Sequence, residues 1–286
     1  MSRWIYPLIG LLLALAAASP VLAEPALADS LPPGVTIRKD VAYGADDDQR
    51  MDIYLPANAR NAPILLMAHG GGWKRGDKEM GRVVTNKVAR WAPKGVIVAS
   101  VNYRMIPDLP PSGQVEDVAR ALAKLQEMAP ELGGDPANVI LMGHSAGGHL
   151  VSLLNAAPEI GTAQGAKPWK GAVSLDSGAL NVPAIMEKRH FKLYDEAFGT
   201  DPAEWNRASP YHRLAGATPP ILFVCREGKY PCREAGAYSA KAKGFGNSVE
   251  ILPQDKSHGE INWELGEPGP YTDAVEAFMR KLGWGV

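Results

Sequence analysis

Two short glycine-rich runs carry the residue types that acyl-transfer chemistry needs. Gly143-His144-Ser145-Ala146-Gly147 places a serine between glycines, so the chain can turn sharply and present a hydroxyl as a nucleophile at a helix start. His69-Gly70-Gly71-Gly72-Trp73 sets three successive glycines side by side. Their unobstructed amides suit an oxygen that gains negative charge in a tetrahedral intermediate. The triple glycine is the more specific pattern. The serine pattern depends on lying between a strand and a helix, because an N-cap serine in an ordinary turn looks the same.

These runs have to be held by the surrounding elements. Apolar stretches at 63–68, 96–101, 139–142, 172–175, 221–224 and 249–252 read as buried strands, and 35–43 with 51–55 as a hairpin around Asp46-Asp47-Asp48. Residues 79–91, 115–128, 145–156 and 271–282 carry helical spacing, as in Val115, Val118, Ala119, Leu122 and Leu125. Such alternation predicts an α/β fold with a mostly parallel sheet and helices on both faces. Residues 179–217 break the rhythm and are expected to form a small helical insertion over one edge or mouth of the sheet. Both glycine-rich runs then follow strands.

Composition narrows the class further. The 286 residues are 46% hydrophobic and 21% charged, with 30 Lys+Arg against 31 Asp+Glu, which excludes a disordered or fibrous chain. A net charge of -1 offers no basic field for nucleic acid. Residues 1–23 read as a signal peptide: Arg3, an apolar run from Leu8 to Ala18, then Val21-Leu22-Ala23. The expectation is a single domain over 24–286, periplasmic or secreted, without stable membrane association once the leader is removed. In an oxidising compartment the only two cysteines, Cys225 and Cys232, are expected to form a disulfide. No pair of His, Cys or acidic residues shows ligand spacing within a motif, so no metal or organic cofactor is implied. Nothing in the sequence fixes the oligomeric state.

From about Val35 to the C-terminus the chain resembles the α/β-hydrolase superfamily. The resemblance is to its esterase/lipase branch, which includes hormone-sensitive-lipase-like enzymes and kynurenine formamidases. The residues that carry it are His69-Gly70-Gly71-Gly72-Trp73, Asn102-Tyr103-Arg104, Ser145-Ala146-Gly147-Gly148 and a late histidine. The resemblance implies a serine esterase acting on small-molecule esters, with the amides of Gly71, Gly72 and Ala146 as the oxyanion hole. An arylformamidase, a peptidase or a non-catalytic binding relative shares the scaffold.

In that superfamily the order is serine, acid, histidine, and His258 is the histidine late enough in the chain to be the base. His69 and His144 belong to the motifs, His149 is expected to pack, and His190 and His212 lie in the insertion. The acid departs from the family pattern, because Lys229 stands where relatives usually carry an Asp after the seventh strand. Asp176, just beyond the strand at 172–175, is favoured, since a strand beside the nucleophile strand ends near the site. Glu227, inside the expected disulfide loop, is the alternative acid.

Overall fold

The computed structural model describes residues 31–286, so the expected leader at 1–23 lies outside the described residues. The chain runs β1 (Thr36–Ala42), β2 (Arg50–Leu55), β3 (Ala62–Ala68), α1 (Gly81–Trp91), β4 (Ile97–Val101) and α2 (Pro111–Met128). It continues through β5 (Gly134–His144), α3 (Ala146–Ala156), α4 (Pro158–Ala163) and β6 (Gly171–Leu175). Four short helices follow: α5 (Val182–Met186), α6 (Lys192–Phe198), α7 (Pro202–Arg207) and α8 (Pro210–Arg213). The last elements are β7 (Ile221–Arg226), α9 (Tyr230–Lys243), β8 (Val249–Gln254), α10 (Glu260–Trp263) and α11 (Pro270–Lys281).

The eight strands form one sheet in the order β1-β2-β4-β3-β5-β6-β7-β8. β2 pairs antiparallel with β1 and β4, and every other pairing is parallel. The sequence explains the division. β4 and β6 are buried at every position, as a strand covered on both faces must be, whereas β1 at the edge is mostly exposed. Along β3, Ile64, Leu66 and Ala68 face one core while Leu65 and Met67 face the other. The first core is closed by Val115 and Leu122 of α2, Leu150 and Leu153 of α3, and Tyr238 of α9. The second is closed by Val84, Val88 and Trp91 of α1 and by Val275 and Phe278 of α11. Each such large side chain contributes roughly 1.5–3 kcal/mol when fully buried.

Two elements differ from the sequence expectation. β5 begins at Gly134, five residues before the apolar run, because Ala62 pairs with Gly134 across a register irregularity that accommodates the Gly-Asp-Pro segment. α9 is a full helix that hydrophobic patterning does not signal. Its inward positions Pro231, Ala235, Tyr238, Ser239 and Ala242 have helical spacing but are mostly small. The sulfurs of Cys225 at the end of β7 and Cys232 in the first turn of α9 are bonded, with Cα atoms 5.2 Å apart.

Strand order decides where chemistry can occur. β3, β5, β6, β7 and β8 are consecutive neighbours running in parallel. Their carboxyl ends therefore deliver the residues after Ala68, His144, Leu175, Arg226 and Gln254 to one edge of the sheet, the usual ligand side of such a fold.

Candidate active site

Ser145 sits on a strained corner between β5 and α3, with φ 55° and ψ -115°. Its amide donates to Leu175 O at 2.9 Å, which pins the corner to β6. The flanking glycines are required by space: a Cβ on Gly143 would lie 2.2 Å from Gly147 O, and one on Gly147 would lie 2.2 Å from Ala68 O. Although Ser145 occupies the N-cap position of α3, its side chain makes no capping hydrogen bond. The hydroxyl is free for other work, unlike that of an ordinary N-cap serine. Ala146 follows at the first position of the helix, where the amide has no intrahelical partner.

The glycine turn is seated against this corner. A Cβ on Gly70 would come within 3.1 Å of Ser145 Cβ, and Gly71, at φ +124°, passes over Arg75 O. Three neighbours hold the turn. Tyr103 OH donates to His69 O at 2.8 Å, and its ring stacks on His69 with centroids 4.5 Å apart. Trp73 Nε1 donates to His149 Nδ1 at 3.2 Å, while His149 Nε2 donates to Ala208 O at 2.6 Å. Gln114 Nε2 donates to Trp73 O at 2.9 Å. One tautomer of a neutral imidazole serves both His149 bonds, and burial lowers this histidine to about 4, in keeping with a packing role. Arg104 grips Asp117 through Nε at 2.9 Å and Nη2 at 2.8 Å, which fixes the Asn102-Tyr103-Arg104 segment behind the turn.

Asp176 and His258 meet across the ends of β6 and β8. His258 Nδ1 lies 2.6 Å from Asp176 Oδ2, and because an ionised carboxylate only accepts, Nδ1 carries the proton and Nε2 keeps its lone pair. Arg226 holds the same carboxylate twice, from its amide to Oδ1 at 3.0 Å and from Nε to Oδ2 at 2.7 Å. Burial alone would push the Asp176 carboxyl up. The His258 bond, the Arg226 amide and the Arg226 guanidinium outweigh burial and hold it below its usual range. Glu227 is exposed on the β7–α9 loop, and its amide donates to Gln254 O at 3.0 Å; the carboxylate that bonds His258 is that of Asp176.

His258 is held from behind as well. His144 Nε2 donates to His258 O at 2.8 Å, and burial lowers the His144 imidazole to about 3, so the bond is made by a neutral ring. Lys87 of α1, fully buried, donates to Asn262 O at 2.7 Å and to Asn262 Oδ1 at 3.1 Å, which ties α1 to the helix after His258. Ser145, His258, Asp176, Gly71 and Gly72 all line one cavity of about 950 Å³. Among the described residues no hydrogen bond joins Ser145 Oγ to the His258 ring, whose one side-chain bond is that to Asp176. Phe191, Leu193 and Tyr194, at the start of α6, form part of the cavity wall, whereas His190 and His212 do not.

Arg226, Lys87 and the second role of His144 were not legible in the sequence. Only the place of Arg226 at the end of the strand beside the one preceding Asp176 gives a signal. Asp40, Asp52 and Glu79 cluster closely enough to suggest a cation site. The Lys78 ammonium already fills it, at 2.9, 3.0 and 3.2 Å from the three carboxylates.

Comparison with known proteins agrees with this architecture. The BD-FAE family model matches residues 51–174. The isoprenylcysteine alpha-carbonyl methylesterase of Arabidopsis thaliana is 27% identical over 79% of this chain, which spans only 57% of that relative. Carboxylesterase NlhH of Mycobacterium tuberculosis is 29% identical over 85% of this chain and 80% of its own. Two solved structures share the fold. Esterase B from Lactobacillus Rhamnosis has a TM-score of 0.70 at 22% identity, covering 88% of this chain and 86% of its own. Thermogutta terrifontis esterase 2 has a TM-score of 0.70 at 23% identity, covering 88% and 96%. With the sheet order, the strained serine corner and the triple-glycine turn already in place, the family model, the esterase relatives and the shared fold all point to the α/β-hydrolase superfamily, in its esterase/lipase branch.

Proposed function

We propose that this protein hydrolyses carboxylic esters of small substrates through an acyl-enzyme on Ser145. The observation that carries the reading is a Ser145 hydroxyl unused by its helix, in one cavity with a His258 imidazole that Asp176 orients at 2.6 Å. Ser145 Oγ attacks the ester carbonyl while His258 Nε2 takes its proton. The negative charge on the carbonyl oxygen is met by the amides of Gly71, Gly72 and Ala146. Collapse of the intermediate breaks the bond to the alcohol, which leaves with the proton from His258. Water then repeats the sequence on the acyl-enzyme, releasing the acid and restoring Ser145. Asp176 keeps the imidazole in the required tautomer and stabilises its charged form. The carboxylesterase and methylesterase names of the curated relatives support this reaction class.

The working compartment is part of the same proposal. The leader-like segment at 1–23 and the Cys225–Cys232 bond support a mature chain that works outside the cytoplasm. Among the described residues no helix is long and apolar enough to cross a membrane. Intact mass of the exported protein, against cleavage after Ala23, tests the leader.

The activity is tested with p-nitrophenyl acetate and butyrate, wild type against Ser145→Ala. The expected result is turnover that vanishes in the variant. Equal rates in both would place the chemistry elsewhere. Butyrate against decanoate, and against N-formylkynurenine, then distinguishes a short-chain esterase from a lipase-like enzyme or an arylformamidase.

A further inference from the structure

The wall of the Ser145 cavity is more basic than the chain around it. Lys74, Arg75, Arg82 and Arg226 line it against one carboxylate, Asp176. The whole sequence, by contrast, has 30 Lys+Arg and 31 Asp+Glu, so the excess is local. Two of these cations are already engaged: Lys74 pairs with Glu196, and Arg226 pairs with Asp176. Arg75 and Arg82 have neither an ion pair nor a side-chain hydrogen bond among the described residues.

Both free arginines line the same cavity as the reacting groups. Arg75 packs under the glycine turn, since a Cβ on Gly71 would lie 1.7 Å from its carbonyl oxygen and 3.2 Å from its Cγ. Arg82 lies across the cavity on α1, where its carbonyl accepts from Asn262 Nδ2 at 2.9 Å, so its backbone is fixed to the element after His258. The rest of the mouth is unusually apolar. Four large hydrophobic side chains are conspicuously exposed in the described residues, and three of them, Phe191, Tyr230 and Trp263, belong to this wall. An aromatic rim suits the face of a ring, and two unpaired guanidinium groups suit an anion.

We infer that the esters taken by this site carry a carboxylate on the part of the molecule away from the scissile bond, with a ring or chain lying on the aromatic rim and the carboxylate on Arg75 and Arg82. The inference rests on the hydrolase reading and adds the charge of its substrate. A guanidinium fork matches a carboxylate in two parallel hydrogen bonds, and a cleft that excludes part of the solvent strengthens the attraction. The same local field draws an anionic ester toward the cavity, an effect that salt weakens. Neither arginine belongs to the machinery that makes and breaks bonds, so their removal leaves neutral esters to be hydrolysed as before.

The test compares Arg75→Gln/Arg82→Gln with wild type on two matched pairs. Mono(4-nitrophenyl) glutarate against 4-nitrophenyl pentanoate places the carboxylate on the acyl side, and 3-acetoxybenzoate against 3-acetoxybenzamide places it on the leaving group. For at least one pair the anionic member is expected to have the higher kcat/KM. That preference should fall about tenfold in the double variant, equivalent to about 1.4 kcal/mol, and shrink in 0.5 M sodium chloride, with the neutral member changed less than twofold. Esters turned over with no preference for the anionic member in wild type, or with the same preference in both proteins, would overturn the inference and leave the hydrolase reading intact. If no ester is hydrolysed, that reading fails. Calorimetric binding of 3-acetoxybenzoate to Ser145→Ala then decides the charge inference: binding lost with the two arginines upholds it, and absent or unchanged binding overturns it.

Discussion

Asp176 and Arg226, fifty residues apart in the chain, are joined through two separate hydrogen bonds, from the Arg226 amide at 3.0 Å and from its Nε at 2.7 Å. The pairing comes directly from the sheet, because Leu175 at the end of β6 lies opposite Val224 in the parallel β6–β7 ladder and β7 runs on two residues to Arg226. It leaves the carboxylate one clear direction, toward His258.

Removal of the guanidinium gives the first prediction. Asp176 is held low, so its carboxylate persists below the usual aspartate range and is lost only as pH falls through that lowered value. In Arg226→Gln burial remains while a positive neighbour is gone, so the carboxyl shifts up and protonates at a higher pH. The loss at pH 7 is expected to be at most about fivefold, the scale of a partly exposed ion pair. The variant-to-wild-type ratio of kcat/KM should then decline steadily from pH 8 to pH 4. A ratio independent of pH would contradict this role.

The acid assignment separates two carboxylates. Asp176→Asn should lower kcat by about 10³–10⁴, because the His258 tautomer is no longer enforced. Glu227→Gln, on an exposed loop position, should change it less than twofold. The reverse pattern on p-nitrophenyl butyrate would make Glu227 the acid.

The glycine turn is tested by adding one methyl group. At Gly71 the new Cβ would sit 1.7 Å from Arg75 O at φ +124°, so the turn has to move. Gly71→Ala is expected to lose about 10²–10³ in kcat, the scale of one missing oxyanion donor. Gly216→Ala, where a Cβ meets nothing within 4 Å, should match wild type. Circular dichroism and thermal melting would distinguish loss of the turn from loss of the fold.

Lys87 makes stability depend on pH. Burial lowers its ammonium from 10.5 to about 7. Between those values the unfolded chain holds a proton that the folded chain lacks, so its contribution makes stability rise with pH from about 7 to about 10.5. Urea titrations across that interval should show a shallower rise for Lys87→Met than for wild type. Parallel curves would mean that the group stays charged inside the fold.

The fold was largely legible in the sequence because β3 to β7 are buried on both faces and therefore read as unbroken apolar runs. α9 was not legible, since its buried face is mostly alanine and serine against Tyr238. In the site, the glycines around Ser145 announced themselves through the backbone conformations they permit. Asp176 is favoured over Glu227 in the sequence only through strand position, because the choice depends on which strand end faces His258, a tertiary fact. Arg226 and Lys87 carry no local pattern. One looks like a loop residue after a strand and the other like an exposed lysine in an amphipathic helix, and only strand order and helix packing give each its partner.

The central claim, a Ser145 nucleophile activated by His258 and Asp176, is tested most directly by labelling with a fluorophosphonate and locating the adduct by peptide mass spectrometry. The expected result is one adduct per chain on Ser145, formed far more slowly in His258→Ala and Asp176→Asn and absent in Ser145→Ala. An adduct on another residue, or labelling of Ser145 at the same rate without His258, would contradict it.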